Sequence, residues 1–516
     1  MIFYINLYLI IKITFLGNMD LLLSLKDLKN TLSNRRKDLN YSNKLDEFES
    51  LIGVLKSNDD KEYCGKLYKK KNLTKTYQSL KYRMEERLMN DIIALASEEE
   101  TLKSRISANI VIGKLLYIAT VLIKRNFRVP AITLFEKCFR LAERFHYFSY
   151  ALQASEALAN HYGFIDIDYK KMEYYLNKNK EIISILDAEN FVKESNTIIS
   201  NFYVSNKGSI SSEKLAMIES RVLKMNELKS KFNTYFIVNY TNDLSFFYYQ
   251  TTKNYDKALE TAFSSLKEIE SNNDKFSFYQ TYRNIGLAYL FLNKYQDSVI
   301  WLNKALQYPT ENSRYWLFLT SLLYINYVHL QDYRKLFEIS ILALSNKNLA
   351  KDPYFHEQWV IREAFLHFLI SAGKIELSEE DQNSLKPFSV SRFLNSVPFH
   401  TKDKSGQNIT IIIIQILFLL IEKKHDKIID KIDTLTQYTY RYIKNDDTFR
   451  SNCFIKMLLK MASASFHPVR TKAHTAELYK KLVKSSLVTD EKSSQVEIIP
   501  YDYLWEIVLE LLEKNK

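Results

Sequence analysis

The side chains that most often do chemistry in proteins are present in this sequence, but not in the patterns of an active site. The nine histidines are scattered, and none stands in an HExxH, HxH or Cys-His pattern that would hold a metal ion. His356-Glu357 begins like such a pattern but lacks a second histidine four residues further on. Isolated histidines are usually surface or core residues, so we predict no metal site.

Nucleophile patterns are missing as well. The sequence has no GxSxG, and Cys453 lies among apolar residues, where a thiol is usually a small buried side chain. The pairs Glu379-Glu380 and Asp446-Asp447 have the residue types for acid and base work, but near a helix start they more simply complement the helix dipole. No two glycines have GxG spacing, so no phosphate-cradling loop is predicted. We therefore expect a protein that is not an enzyme and has no catalytic residues and no cofactor.

The composition favours helices. With 9 glycines and 7 prolines in 516 residues, little of the chain can form tight turns or hairpins. The 46% hydrophobic and 26% charged residues are ordinary for a folded chain with a sizeable core. Cys64, Cys138 and Cys453 are too far apart in sequence for a disulfide framework or a four-ligand zinc site, which fits a reducing cytoplasm. The predicted localisation is cytoplasmic.

The net charge of +12 has two explanations. Clustered lysine and arginine release counterions from phosphate and would favour nucleic acid or a membrane surface. The chain is also rich in Ile, Asn, Tyr and Lys, which is typical of an AT-rich genome, and such a bias raises lysine everywhere without making a basic face. We prefer the second explanation, because charge blocks are usually solvated surfaces.

Residues 1–18 form a mostly apolar leader that is interrupted by Lys12. No basic residue precedes it, and its apolar part is shorter than the ~20 residues that span a bilayer. An amphipathic pattern begins at Met19, so we interpret the leader as a misassigned start, with a weak membrane anchor as the alternative. Because polar residues divide the apolar run Ile409–Ile421, it predicts a buried helix, and no membrane span is expected.

Residues 19–96 are predicted to form an N-terminal helical region with one basic helix. Between Lys61 and Arg87 the sequence carries nine basic residues against three glutamates. Apolar residues from Tyr77 to Ile92 recur every three or four positions, which places them on one face of a helix and the arginines on another. If this segment contacts nucleic acid, the contacting residues are Lys69, Lys70, Lys71, Lys75, Arg83 and Arg87.

From Ser97 onward the sequence is repetitive. Ser97 and Glu100 have the spacing of a capping box and predict a helix start. The clearest repeat follows the tetratricopeptide (TPR) spacing W-x2-L-G-x2-Y, A-x3-F and P. Small residues in this pattern let two antiparallel helices approach each other, and large ones fill the space between them. The positions that match the spacing are Tyr282, Ile285, Gly286, Tyr289, Ser298, Leu302, Ala305 and Pro309.

The same unit recurs along the chain when the position that opens the second helix is aligned. The steps between these positions are 41, 44, 42, 40 and 38 residues. The fold prediction is therefore all-α, a right-handed α-solenoid of TPR-like antiparallel helix pairs with a repeat of about 40 residues, forming a superhelix over 97–375. The aligned positions are Ala131 with Phe135, Met172 with Leu176, Ala216, Ala258, Ser298 and Leu336.

The repeat pattern breaks after residue 375. Residues 376–408 contain two prolines and a glycine and predict an irregular insertion, with at most one short helix around Arg392–Asn395. Helix pairs resume in 409–516, and a capping helix is expected at about Tyr501–Leu512.

Two resemblances can be stated on particular segments. The run Asp446–Met457, with Ile411–Leu420 before it and Glu497–Tyr501 after it, resembles the C-terminal part of a group of uncharacterised bacterial tetratricopeptide-repeat proteins. The basic segment Tyr77–Asn90 resembles the N-terminal part of that group, and the likeness brings no assigned activity. A weaker similarity is to peptide-sensing regulators with a helix-turn-helix before a TPR superhelix, but no such motif is found in 19–96.

The first helices of a solenoid line its concave face, where extended partners bind. Amides together with aromatics suit a peptide whose backbone and side chains both need contacts. The alternative is that half of these residues only pack against the adjacent repeat. By their spacing, the residues expected to face the partner are Asp243, Phe247, Gln250, Gln280, Arg283, Asn284, Leu287, Ile325, Asn326 and His329.

The predicted function is a non-catalytic scaffold or adaptor that binds a protein or peptide ligand. The alternative is a peptide-responsive or nucleic-acid-linked regulator that uses the basic 61–87 segment.

Overall fold

A computed structural model describes residues 44–514 apart from several gaps, and before residue 44 it describes only Leu23 and Lys26. The gaps are 98–104, 206–210, 270–274, 397–406, 443–448 and 486–496, with the single positions 56, 58, 71, 72 and 312. The leader 1–18 and the Asp446-Asp447 pair lie outside the described residues, as does Glu100 of the predicted capping box.

All regular structure within these described ranges is helical, so the prediction of an all-α fold is confirmed. The chain divides into two compact units, residues 1–194 with 232–236, and residues 195–231 with 237–516. This division falls inside the segment 97–375. The helices that begin in the first unit by residue 169 are α1 Lys44–Leu55, α2 Asp60–Tyr68, α3 Lys75–Ser97, α4 Arg105–Lys124, α5 Arg128–Arg144, α6 Phe148–Phe164 and α7 Tyr169–Ser205.

The later helices belong wholly or mainly to the second unit. Consecutive helices pack on each other from α10 to α15 and again from α18 to α22, as α4, α5 and α6 do in the first unit. The later helices are α8 Ser212–Lys231, α9 Tyr235–Thr251, α10 Tyr255–Ile269, α11 Lys275–Phe291, α12 Tyr295–Leu306, α13 Arg314–Leu330, α14 Tyr333–Leu344, α15 Pro353–Ser371, α16 Glu379–Ser384, α17 Val390–Ser396, α18 Gln407–Ile421, α19 His425–Tyr442, α20 Phe449–Ser463, α21 Pro468–Lys484 and α22 Tyr501–Lys514.

Small residues bring helices α11 and α12 together as their spacing predicted. A Cβ atom added to Gly286 would lie 2.7 Å from Leu302 Cγ, so only glycine fits without a shift of that side chain. Ser298 is fully buried, and its Oγ donates a hydrogen bond to the Gly286 carbonyl at 2.8 Å. The predicted packing role of Gly286 and Ser298 is therefore confirmed.

One turn geometry recurs between the helices. A residue one or two positions after the end of a helix adopts a left-handed backbone. The N–H of the residue that follows it donates to the carbonyl five residues earlier, which closes the helix end as in a Schellman motif. Asn293 has φ 58°, for example, and Lys294 N–H donates to Tyr289 O at 2.9 Å. Eight turns of this form occur in the described ranges, and Gly373 is the only glycine at their left-handed position.

Helix α7 departs from the predicted repeat pattern. It runs for 37 residues from Tyr169 to Ser205, because no glycine or proline interrupts it. Tyr175 is buried whereas Leu176 is 44% exposed, so the register predicted at this repeat is wrong by one residue. The alignment at Ala216 is also wrong, because Ala216 is exposed while Ile218 is buried.

The predicted irregular insertion contains two short helices, α16 and α17, so the expectation of at most one is wrong. Helix α16 starts with a capping box, in which the Ser378 hydroxyl accepts from Asp381 N–H and the Asp381 carboxylate accepts from Ser378 N–H. Arg334 Nη1 also donates to Asp381 Oδ2 at 2.6 Å. The acidic residues Glu379 and Glu380 lie in the first turn, where the helix dipole favours them.

Helix α22 is buried on several sides and packs against α18, α20 and α21. Trp505 and Val508 lie in its buried part. Glu510 forms an ion pair with Lys374 at 2.7 Å, in the turn that follows α15. The helix predicted near the end of the chain is therefore part of the core of the second unit.

Arg450 connects helix α20 to the segment before α22. Its Nη2 donates to Glu497 Oε1 at 2.8 Å and to Asp502 Oδ1 at 2.6 Å, and Nη1 donates to the Leu482 carbonyl at 2.7 Å. Cys453 on the same helix is buried, and burial raises the pKa of its thiol, which agrees with the predicted role as a small buried residue.

Candidate partner-binding face

Helices α9, α11, α13 and α15 of the second unit carry polar side chains that link one helix to another. Asp243, Arg283 and Asn284 connect α9 to α11, and Ser321 and Arg362 connect α13 to α15. We call these five residues the buried polar row. Apart from Asp243 each is at most 5% exposed, and polar groups so deeply buried need hydrogen-bond partners.

At the α9–α11 end of the row the charges are balanced. Arg283 Nη2 donates to Asp243 Oδ1 at 2.6 Å, and Asn284 Nδ2 donates to the same oxygen at 2.9 Å. The rings of Tyr279 and Phe247 lie 5.7 and 5.8 Å from the guanidinium carbon. Burial opposes the charge of Arg283, but Asp243 together with Tyr279 and Tyr315 more than offsets it, so the pKa of Arg283 is raised.

At the α13–α15 end the charge is not balanced. Arg362 Nη1 donates to Ser321 Oγ and to Gln358 Oε1, both at 3.2 Å. Both acceptors are neutral, and no carboxylate in the described part of the chain pairs with this guanidinium. Burial lowers the pKa of Arg362 to about 10, so the group is still charged at neutral pH.

Two further donors lie beside Arg362. The rings of Tyr324 and Trp359 are 5.4 and 5.1 Å from its guanidinium carbon. Tyr324 Oη and Trp359 Nε1 are buried and meet no hydrogen-bond partner among the described residues. The surroundings of Arg362 are therefore rich in donors and lack an anion.

Burial corrects four of the residues predicted to contact a partner. Arg283, Asn284, Leu287 and Asn326 are buried, so they do not present their side chains to a partner in this structure. Arg283 and Asn284 bind Asp243, Leu287 belongs to the core, and Asn326 Nδ2 donates to the Leu322 carbonyl at 2.9 Å. The packing alternative holds for these four residues.

The other six predicted residues are half-buried. Of these, Asp243 and Phe247 meet Arg283, while Gln250 Oε1 is buried with no donor among the described residues. Gln280 and Ile325 lie at the edge of the row on α11 and α13. Their role in partner binding stays a prediction.

His329, the sixth of these residues, is covered by the chain itself. Its ring stacks on Tyr295 with the centroids 4.3 Å apart. Burial lowers the pKa of His329 to about 4, with Asp502 acting in the opposite direction. The neutral imidazole is therefore part of the packing near the start of helix α22.

Ser321, Gln358 and Arg362 were not among the predicted residues. The signal that finds them is the spacing of the repeat, because Ser321 lies 38 residues after Arg283 and Arg362 lies 41 residues after Ser321. Both steps match those between predicted repeat units. Arg362 follows Leu336, the last of the predicted repeat positions, so the predicted series does not include it.

The basic segment in the first unit is partly neutralised. Lys69, Lys70, Lys75 and Arg83 are exposed, and Lys71 lies outside the described residues. Arg87 Nη1 donates to Asp46 Oδ1 at 2.7 Å. The buried Lys81 binds both oxygens of Asp60, at 2.7 and 2.8 Å. Four of the six predicted nucleic-acid contacts are therefore open to solvent, and the binding itself stays a prediction.

A surface depression in the second unit lies on one helix. One depression of about 450 Å³ is lined by residues of helix α8 alone, from Ala216 to Glu227. A single helix provides one wall and cannot enclose a substrate. No group of three or more His, Cys, Asp or Glu able to hold a metal ion occurs in the described ranges.

One helix of the described chain is long and apolar enough to cross a membrane, the segment Ser107–Lys124 of α4. A single helix of this kind is weak evidence for a span. Only 17% of the segment is buried, and α4 packs against α5 and α6.

No protein-family model matches this chain, and no curated protein matches it in sequence.

Proposed function

We propose that this protein is a non-catalytic helical-repeat scaffold that binds an extended protein segment or peptide along helices α9, α11, α13 and α15. An acidic group of that peptide pairs with Arg362, which is only 5% exposed in this structure, by replacing the half-buried Gln358 as its acceptor. Kinship with bacterial tetratricopeptide-repeat proteins and a cytoplasmic location belong to the same proposal.

The regular spacing of two sets of residues supports a TPR-like solenoid, and its right-handed twist is part of the proposal. The left-handed turn residues Lys253, Asn293, Gln331 and Gly373 stand 40, 38 and 42 positions apart. The row residues that link the helices have nearly the same steps of 40, 38 and 41 positions. Equivalent positions in successive hairpins explain both series, and the first helices of such hairpins offer an extended binding face. The row residues that follow these steps are Asp243, Arg283, Ser321 and Arg362.

The missing counter-charge at Arg362 is the observation that carries the proposal. A buried charge without an ionic partner is unfavourable, so an anion supplied by a ligand would be stabilised there. A carboxylate accepts two parallel hydrogen bonds from a guanidinium. Acidic side chains and C-terminal carboxylates of peptides have this chemistry.

Neutral amides at the edge of the row extend the site along the peptide. Gln250, Gln280 and Gln358 are half-buried and lie on three different helices of the face. Each amide has both a donor and an acceptor, which is what a peptide backbone requires. Backbone pairing would fix the path of the peptide, and Arg362 would select an acidic residue.

Site-specific photo-crosslinking in the native host tests the binding face. A benzophenone amino acid at Gln280 or Gln358 should capture a protein or peptide that mass spectrometry identifies. The same amino acid at Glu260 or Lys304, which are exposed on the second helices α10 and α12, is the matched control. No adduct at the first pair, or equal adducts at all four positions, would contradict the proposal.

The acidic specificity has its own test. Binding of the captured peptide should weaken at least tenfold in R362Q, because the guanidinium–carboxylate pair is lost. Replacing the acidic residue of the peptide by its amide should have a similar effect on the wild type and little further effect on R362Q. If R362Q and the amide replacement weaken binding independently, so that their effects multiply, Arg362 and the acidic residue of the peptide do not contact each other.

A further inference from the structure

The first unit exposes a group of large apolar side chains at one end of its helices. Val129 is 81% exposed and Ile167 is 79% exposed, and neighbours of similar type surround them. We call this group the apolar tip. Its members are Phe127, Val129, Phe164, Ile165, Ile167 and Tyr169.

The packing of α4 on α6 shows that these residues share one end. Tyr147 Oη, just before α6, donates to the Arg105 carbonyl at the start of α4 at 2.8 Å. Gly113 lies close to Tyr150 as well, where an added Cβ would be 3.4 Å from the hydroxyl. The two helices therefore run side by side in the same direction. Their far ends, with the α4–α5 turn and the α6–α7 turn, lie together at the opposite end.

The backbone at Ile167 is strained. Its φ is 51°, in the left-handed region that a β-branched residue rarely adopts. The cost is about 1–2 kcal/mol for a residue that is not glycine, and Ile167 buries little apolar surface in return. Strain of this kind is commonest where a segment has a function, and here it holds an isoleucine out in solvent.

Basic residues surround the apolar tip. Lys124, Arg125, Arg128 and Lys170 are exposed there. The carboxylates of Asp166 and Asp168 are outnumbered at the same end by these four residues and Lys171. Asp166 Oδ2 lies 3.1 Å from His161 Nε2, while Asp168 Oδ1 accepts from Lys171 N–H at 3.1 Å, and Lys171 Nζ is 4.0 Å from Asp168. The exposed charge at this end is therefore mainly positive.

We propose that the apolar tip docks onto an anionic lipid bilayer. Apolar side chains on projecting turns can enter the region between the headgroups and the acyl chains, while lysine and arginine pair with anionic headgroups. Large exposed apolar groups rimmed by polar residues mark interaction sites. The ring of basic residues favours a negatively charged surface over an uncharged one.

Vesicle co-sedimentation of the full chain tests the docking. The protein should bind phosphatidylcholine vesicles that contain phosphatidylserine, bind pure phosphatidylcholine vesicles weakly, and dissociate as salt rises. The tip variant F127S/V129S/I167N should bind at least tenfold more weakly. Its fold is expected to survive, because serine is favoured before a helix and asparagine tolerates the left-handed backbone.

Charge removal gives a second, matched pair of variants. K124Q/R125Q/R128Q, at the tip, should weaken binding about a hundredfold, on the basis of about fivefold for each basic residue. K137Q/R140Q/R144Q removes the same charge from exposed positions further along α5 and should leave binding within about threefold of the wild type. Equal effects of the two triple variants would overturn the proposal.

A fluorescent label reports the position of the tip directly. Cys64, Cys138 and Cys453 are buried, so V129C can be labelled selectively with a polarity-sensitive dye. Its emission should shift to the blue on phosphatidylserine vesicles, whereas dye at K137C should not shift. An unshifted signal at residue 129, or a wild-type chain that does not bind the vesicles, would refute docking. Dimerisation that depends on the tip, without vesicle binding, would show instead that a second copy covers it.

Discussion

Arg283 and Arg362 are both buried in the second unit, and their surroundings differ in one respect. Arg283 donates to Asp243 at 2.6 Å, whereas Arg362 meets the neutral acceptors Ser321 and Gln358. Burial opposes the charge of both, but the pKa of Arg283 is raised while that of Arg362 is lowered to about 10. The comparison teaches that two equally buried arginines can differ in whether a carboxylate neutralises them. In the proposed function, the missing counter-charge is what makes Arg362 the binding residue.

The largest expected effect comes from removing the carboxylate at the balanced end. D243A leaves Arg283 buried without an ionic partner and should lower the free energy of unfolding by about 3–5 kcal/mol. The four tryptophans, at 301, 316, 359 and 505, all lie in the second unit, so urea unfolding followed by their fluorescence measures this directly. The double variant D243A/R283M should recover most of the loss. A single variant as stable as the wild type would break the comparison.

Acid should lower the stability of the second unit through His329 on α13 and His367 on α15. Burial lowers the pKa values of His329 and His367 from 6.5 to about 4, so the unfolded chain takes up protons before the folded chain does. Stability should be unaffected by these groups above about pH 6.5 and should fall between pH 6.5 and pH 4, by on the order of 2 kcal/mol for each histidine.

A pair of variants assigns this pH dependence. His367 stacks on Phe388 at 4.5 Å, and H367F keeps a ring there while removing the titration, so the loss of stability should be about half as large. H474F, at an exposed position, should leave the pH dependence unchanged. Equal curves for H367F and the wild type would contradict the assignment to buried histidines.

Substituting Arg362 or Ser321 at the α13–α15 end should leave the stability unchanged or raise it slightly. R362M removes a buried charge that has no carboxylate, so stability should stay the same or rise by up to about 2 kcal/mol. S321D should raise stability by about 1 kcal/mol, because it gives Arg362 an acidic partner like the one that Arg283 has. Urea unfolding at pH 7 measures both, and S321D should also block the acidic peptide. A loss of 3 kcal/mol in R362M would show that Arg362 is structural after all.

The smallest effect is expected at the turns that follow helices α9 and α13. Lys253 after α9 and Gln331 after α13 both have left-handed backbones, at φ 57° and 52°. Glycine adopts this conformation without strain, so K253G and Q331G should each stabilise the second unit by about 1 kcal/mol. Thermal unfolding measures the change, with the helical K257G as a control that should destabilise by a similar amount. Unequal effects of K253G and Q331G would contradict the expectation that the two turns have the same backbone strain.

The helical hairpins could be predicted because their signals are local. Gly286, Ser298 and Ala305 stand at positions where only small residues fit, and that requirement is visible in a single repeat. The register around Met172 and Ala216 could not be found in this way. At Met172 the helix continues for 37 residues, and helical periodicity alone cannot tell one long helix from two short ones. Ala216 lies on the next helix, where Ile218 is the buried residue.

The candidate site was harder to predict, because a position in the repeat gives the direction of a side chain and not its exposure. Gln280 and Arg283 are both placed on the first-helix face by spacing, yet Gln280 is half-buried and Arg283 is 3% exposed. The difference comes from Asp243, which lies 40 residues earlier and draws the guanidinium inward. A pairing over that distance depends on the fold and has no local signature.

Helix α22 has a consequence for the order in which the second unit is completed during synthesis. Trp505 and Val508 are buried in that unit, and Glu510 binds Lys374, a residue made 136 positions earlier. At about 5–20 residues per second, roughly 7–30 s separate the two on the ribosome. During that time Lys374 lacks its partner, and the ring of Phe454, which Trp505 contacts, faces water while the 51 residues up to Trp505 are made. The yield of soluble protein therefore depends on a helix that emerges long after the helices it completes.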